Sequence, residues 1–237
     1  MSAMSRRPPL SVAPALPAHE PDLSPAHKEA IIEALRWAWQ QLCSLNPKIA
    51  RNGNEEEISE RLEALLNERR GGRRRAAWLD DFETVVRGAS QRTADGRIQK
   101  KPDFTFRPIP YLSVTNASQW GWFVECKIID GTSSIVVYRD HGMQRFCLGE
   151  YAAFMPSGVM LGYVRDRSLP GQALPQVLRG YAGTKRHDAG PTPDRSESEH
   201  QRSALPNPCV DVCLVHLWLV IPSTAPEQAS LVFMQPV

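Results

Sequence analysis

The chain has 237 residues and a mass of 26.5 kDa, which suits one domain better than two. Hydrophobic residues make up 42% and charged residues 23%, enough apolar surface to exclude a chain disordered throughout. Twenty-eight Lys and Arg against 26 Asp and Glu leave a net charge of +2, so total charge points to no polyanionic partner and only local clusters can.

Residues 1–23 hold many of the 20 prolines and read as a flexible leader with a polyproline bias, too broken by Pro for a signal-peptide core. "SPAHKEAIIEALRWAWQQLCSLN" starts as a helix, with Ser24 as N-cap and Pro25 at the first helical position. Ile31, Leu35, Ala38 and Leu42 give it a core-facing stripe, and "PKIARNG" follows as a loop. A second helix opens at Asn54, "NEEEISERLEALLNERRGG", with three Glu in its first turn and Gly71 at its end. "FETVVRG", "PDFTFRPI" and "WGWFVECKII" have strand character, and the Asp95-Gly96 turn signal in "RTADGRIQ" predicts a hairpin. A helix is expected over about 134–154 and a short buried strand over "GVMLGYV". Residues 183–208, polar and rich in Pro, Ser, Arg and Glu, read as a long exposed loop. The runs "CVDVCLVHLWLVIP" and "SLVFMQPV" predict a terminal β-hairpin over 209–237.

The order is that of an α/β domain over 24–237, a mixed β-sheet flanked by helices. The longest apolar run, "CLVHLWLVI", falls short of the roughly 20 residues of a membrane helix, so no membrane is expected. Five Cys, an odd number with no CxxC pair, favour reduced thiols and a cytoplasmic setting. Cys209, Cys213 and His216 suggest zinc, but in a strand those two Cys stand about 13 Å apart, which favours a place in the core.

The chemistry concentrates in the third strand-like run. Side chains alternate along a strand, so Glu125 and Lys127 point one way while Val124, Cys126 and Ile128 point the other. A Glu and a Lys inside an apolar run are costly to bury unless paired or functional. Asp103 heads the preceding strand; if the two strands pair, its carboxylate converges on that of Glu125 and makes a hard-oxygen site suited to Mg²⁺ or Mn²⁺. On the second helix Ile58, Leu62, Leu65 and Leu66 form one face, and of the three acids only Glu55 is aimed with it; Glu56 and Glu57 project to solvent.

Glu55 on a helix, then Pro102-Asp103, then Glu125-Cys126-Lys127, resembles the PD-(D/E)XK nuclease superfamily. The resemblance spans about residues 54–164 and implies a restriction-endonuclease-like αβββαβ core that hydrolyses phosphodiesters with Mg²⁺ or Mn²⁺. It implies that Asp103, Glu125, the main-chain carbonyl of Cys126 and Glu55 hold the metal, and that Lys127 positions the attacking water. The implied substrate is DNA, cut endonucleolytically in restriction, anti-phage defence or repair. The alternative is a non-catalytic nucleic-acid-binding or assembly subunit that keeps the fold.

The following helix in that superfamily often turns a polar or basic residue to the site; Arg145 is the candidate phosphate clamp here, against a solvated surface role. Arg69, Arg70, Arg73, Arg74 and Arg75 read either as a basic hinge that tracks a nucleic-acid backbone or as cations at a helix C-terminus. Lys100 and Lys101 would stand at the mouth of the site. A chain this short with no GxxxxGK[ST] motif points to a partner protein or a homo-oligomer for target choice, docked on the leader or on 183–208.

Overall fold

The computed structural model describes residues 20–71, 80–88, 91–92, 98–109, 119–131, 134–150, 152–166, 168–202 and 209–222. Helix α1 (Pro25–Leu45) starts as its sequence dictates: the Ser24 hydroxyl accepts from the His27 N–H at 3.2 Å, and Pro25 occupies the first turn. The next stretch, expected as a loop, forms a short helix α2 (Pro47–Asn52). Helix α3 (Glu55–Gly71) opens with a reciprocal cap: Glu57 N–H donates to Asn54 Oδ1 and Asn54 N–H donates to a Glu57 carboxylate oxygen, both at 2.8 Å. Glu57 is exposed, as its spacing predicts, and spends its carboxylate on this cap.

A two-stranded pair, β1 (Gln91–Arg92) and β2 (Ile98–Lys100), flanks the Asp95-Gly96 turn signal, whose own residues lie outside those described. The main sheet has six strands in the order β3 (Phe104–Phe106), β4 (Trp122–Ile129), β5 (Ser157–Val164), β8 (Asp211–Val220), β7 (Arg195–Gln201), β6 (Thr184–Ala189). β4, β5 and β8 run parallel; the β3/β4, β8/β7 and β7/β6 pairs are antiparallel. The segment 82–86 adds two isolated bridges outside β3, Phe82 to Pro108 and Val86 to Thr105. This is a mixed sheet with helices on both faces.

Alternation along β5 separates the faces. Tyr163 stacks on Trp39 of α1 (centroids 5.5 Å apart) and its hydroxyl meets Ser59 of α3 at 3.0 Å. Met160 lies on the other face, where a Cβ on Gly142 would stand 2.4 Å from its terminal methyl. That face carries α4 (Ser134–Val137), a π-helical turn (Tyr138–Met143) and α5 (Gln144–Cys147) as one continuous run, with α6 (Pro170–Leu178) beside it. The expected 134–154 helix therefore ends seven residues early and is widened in its middle. Gly142 lets the wide turn lie directly on the sheet, where a bulkier residue would displace Met160.

Two expectations are corrected at the far edge. Residues 183–208 do not form a long exposed loop: β6 and β7 occupy half of that stretch and pair with each other, and 203–208 lie outside the described residues. Nor does "CVDVCLVHLWLV" open a terminal hairpin. It is β8, held in mid-sheet by β5 over 213–220 and by β7 over 211–217, so neither edge is open for a following strand along 213–217. The rest of the expected hairpin, residues 223–237, lies outside those described, as does most of the leader. Among the described residues no helix is long and apolar enough to cross a membrane.

Candidate functional site

Strand β3 is short. Its register with β4 ends at Phe104 opposite Val124, and Asp103 follows on the β3 side. Beyond that point the outer edge of β4 has no strand beside it among the described residues, so the main-chain groups of Cys126 must find side chains. The Cys126 N–H donates to Asp103 Oδ2 at 2.6 Å, and the Cys126 carbonyl accepts from Lys127 Nζ at 2.6 Å. The end of a strand pair has become the frame of a polar cluster.

Lys127 Nζ has three protons to donate and three oxygens to receive them. Besides the Cys126 carbonyl these are Glu125 Oε1 at 2.8 Å and Glu55 Oε1 at 2.9 Å. Glu125 is 1% exposed and Lys127 8%, and the Glu125 carboxylate also accepts from Arg145 Nη1 at 2.7 Å. The acid on α3, the acid and base on β4, and the guanidinium on α5 thus meet from the two helical layers at the unpaired edge of the sheet. Glu55 is the inward member of the three first-turn acids, being half-buried while Glu56 and Glu57 are exposed.

The electrostatics are crowded. Burial, and next the charge of Glu125, push the Asp103 carboxyl up to about 7, although the Cys126 N–H and Lys127 pull against them. Burial alone would lower the Lys127 ammonium, but Glu125 and Glu55 outweigh it and hold its pKa above the usual lysine value. Lys127 and Arg145 thus lie among three acids, of which Asp103 is the one that burial holds close to neutral. Among the described residues no three His, Cys, Asp or Glu side chains are gathered so as to hold a metal ion; the acids close on Lys127 instead.

A groove of about 470 Å³ opens on this cluster, lined by Glu55, Glu56, Arg87, Gly88, Lys101 and Asp103 among others. Lys101 stands at its mouth, as its place in the sequence suggests. Arg87 was not anticipated. It follows the bridging segment 82–86, its Nη2 stands 3.7 Å from Glu56 Oε1, and its Nε is buried without a partner. Its signal in the sequence was a basic residue at the end of "FETVVRG", but its position depends on bridges to β3 that only the fold supplies.

Arg73, Arg74 and Arg75 lie outside the described residues. Arg69, from the same basic run, lies 4.6 Å from the centroid of the Trp37 ring. Trp120 and Trp122 are buried, donating to the Pro21 carbonyl and to Ser157 Oγ, so they pack rather than present a face. Cys209 is buried, and His216 takes its partners from Tyr138 and Ser198. Comparison of the chain with protein-family models, with curated proteins and with solved structures finds no match in any of the three.

Proposed function

We propose that this chain is a metal-dependent nuclease that hydrolyses DNA phosphodiesters, with the cluster around the Cys126 main chain as its active site. The observation that carries the reading is that Asp103 and Glu55, distant in sequence, are brought to the Glu125–Lys127 run at an open sheet edge, Asp103 through the Cys126 N–H and Glu55 through Lys127 Nζ. With the separate β1–β2 pair set aside and segment 82–86, which has two isolated bridges, taken in place of a first strand, the succession α3, 82–86, β3, β4, helical run, β5 is compatible with the αβββαβ order that the resemblance implies.

The oxygens are of the hard type that a divalent cation takes, although as arranged they close on the Lys127 ammonium, which would have to move aside for an ion. Two carboxylates and a main-chain carbonyl already surround one cationic nitrogen, and burial, with the charge of Glu125, raises the Asp103 carboxyl beside them. Mg²⁺ or Mn²⁺ held by Asp103, Glu125, Glu55 and the Cys126 carbonyl would supply charge neutralisation at phosphate and an acidified water. Lys127, kept protonated by its acidic neighbours, offers a fixed cation to the charge that develops on phosphate, and to donate to the attacking water it would release one of its three present acceptors. Arg145 holds Glu125 in place from α5 and presents a partly exposed guanidinium toward the backbone of the nucleic acid. Arg87 and Lys101 flank the groove and give the polyanion its footing.

The test is Mg²⁺-dependent conversion of supercoiled plasmid by the full chain beside Glu125→Ala and Lys127→Ala. Nicking by the parent and about a thousandfold loss in both variants is the expected result. A parent that never cuts with Mg²⁺ or Mn²⁺, or variants that cut as well as it does, would overturn the reading. One observation favours a second reading, a non-catalytic nucleic-acid-binding subunit: the ammonium of Lys127 already fills the centre of the oxygen set. Salt-sensitive DNA binding without cleavage would assign the chain to it.

A further inference from the structure

β6 closes the main sheet at its far end, paired with β7 on one side and, among the described residues, with no strand on the other. A register shift between Thr184 and Arg186 leaves the stretch from Arg186 onward as the regular part of this edge. The Gly190 N–H donates to the Arg195 carbonyl at 3.0 Å, which fixes the phase of the ladder with β7. Arg186 and Asp188 share that phase and turn their main-chain groups to β7, so those of His187 and Ala189 point outward. A groove of about 450 Å³ meets both Arg186 and His187, with the end of α6 as its other wall. Arg186 is on the sheet face of Glu199 and His187 on the opposite face, near His216, so space that touches both lies beside the strand. An unpaired, open edge is a template for another strand.

Charge along this stretch selects the strand that fits. Arg186 and Asp188 share one face, carry opposite signs two residues apart, and have side chains 60% and 52% exposed. Two copies paired antiparallel about a two-fold axis set one residue against its own mate, because opposed residues must share a face. With the axis at Arg186 or at Asp188, like charges meet directly. With it at His187, Arg186 of each copy meets Asp188 of the other. No other axis along β6 sets unlike charges opposite. The same axis lets the outward N–H and carbonyl of His187 exchange hydrogen bonds with those of its mate. Arg186 and Asp188 then fall in the closer pairs on either side. Burial lowers the His187 imidazole, so the two rings meet uncharged. Charges on an edge strand ordinarily repel further strands; here their order is self-complementary.

We propose that β6 pairs antiparallel with β6 of a second copy about a two-fold axis at His187, joining two six-strand sheets edge to edge. Both acidic sites then lie at the outer ends of the joined sheet and take no part in the contact. The test is sedimentation equilibrium of the full chain at concentrations up to about 0.5 mM. The parent is expected to approach twice the 26.5 kDa of one chain. Arg186→Asp and Asp188→Arg should each weaken the dimer about tenfold, since two like-charge pairs replace two unlike ones. An equimolar mixture of the two variants should recover it, and so should both substitutions made in one chain. Both side chains are exposed, so these variants keep the fold. The His187 N–H should exchange with deuterium slowly in the parent dimer and fast in either single variant. A parent that stays monomeric overturns the proposal. So does a dimer indifferent to the single reversals, which belongs to another face, or one that neither the mixture nor the double exchange recovers.

Discussion

The sheet buries two polar networks, and they are built on opposite terms. At the β3–β4–β5 end the buried groups are charged: Glu125 and Lys127 pair with each other, with Glu55 and with Arg145, and the cluster faces a groove. At the β8–β7–β6 end a second chain, from Tyr138 to Thr184, is neutral and closed. Tyr138 OH donates to the Met160 carbonyl, so it must accept from His216 Nδ1–H at 2.9 Å. His216 Nε2 then accepts from the Ser198 hydroxyl at 2.7 Å, Ser198 accepts from His200 Nε2–H at 2.6 Å, and His200 Nδ1 faces the Thr184 hydroxyl at 3.3 Å. Every proton has one place, and both imidazoles are neutral. A chain whose last proton is used up fastens the β6–β7 pair to the core, whereas the charged cluster is the one that borders a groove with Glu55 and Asp103.

The largest effect that separates the two ends is on activity. In the proposed reading Lys127→Met lowers plasmid cleavage about a thousandfold while Arg145 still pairs with Glu125, so the thermal midpoint moves little. Substitutions in the neutral chain should do the reverse. If Lys127→Met melts far below the parent, the charged cluster is a fold-holding ion pair and the contrast fails.

Acid should act on the neutral end. Burial pushes His200 down to about 4 and lowers His216 as well, because a second proton on either ring would meet a hydroxyl already donating to it. The unfolded chain takes up those protons near pH 6.5, so stability is fully present above that value and is lost as pH falls from there to about 4. His200 alone accounts for about 3 kcal/mol. Asp103, raised to about 7, gains stability as pH falls through the same window, so urea unfolding at pH 7.5, 6, 5 and 4 is measured on Asp103→Asn, and a flat profile there would show that the rings are not neutral partners. Ser198→Ala should cost about 2 kcal/mol at neutral pH, since it strands two imidazole nitrogens in the core, and should leave cleavage per folded molecule unchanged. Chemical denaturation paired with the plasmid assay checks both halves of that statement.

Legibility in the sequence divides along the same line. Helical spacing singled out Glu55 over its two neighbours, and strand alternation put Glu125 and Lys127 on one face, because both rest on local periodicity. Arg87 escaped notice since only the bridges from 82–86 to β3 bring it to the groove. β7 was misread because its buried face is Ser196, Ser198 and His200, alternating with Glu197 and Glu199. The period of two is present, but it is a period of small polar against charged residues, invisible to a search for apolar alternation. Its burial is made tolerable by partners on β8 and in the π-helical turn that are distant in sequence. The central place of β8 is hidden for the same reason: its antiparallel neighbour β7 shows no apolar period.

The smallest effect sharpens what holds the outer edge. β6 carries exposed ion pairs, Lys185 to Asp211 at 2.6 Å and Arg186 to Asp188 at 2.8 Å. These side chains are 40% or more exposed, where solvent screening leaves such pairs worth about 0–1 kcal/mol. Lys185→Ala should therefore shift the unfolding free energy by less than about 0.5 kcal/mol, and that shift should shrink further in about 0.5 M salt. The Ser198→Ala loss should persist in the same salt, because neutral hydrogen bonds under the sheet are not screened. Parallel denaturation of the two variants at low and high salt makes the comparison. Equal losses that fade together would mean that surface charge, rather than the buried chain from Thr184 to Tyr138, keeps β6 and β7 on the sheet.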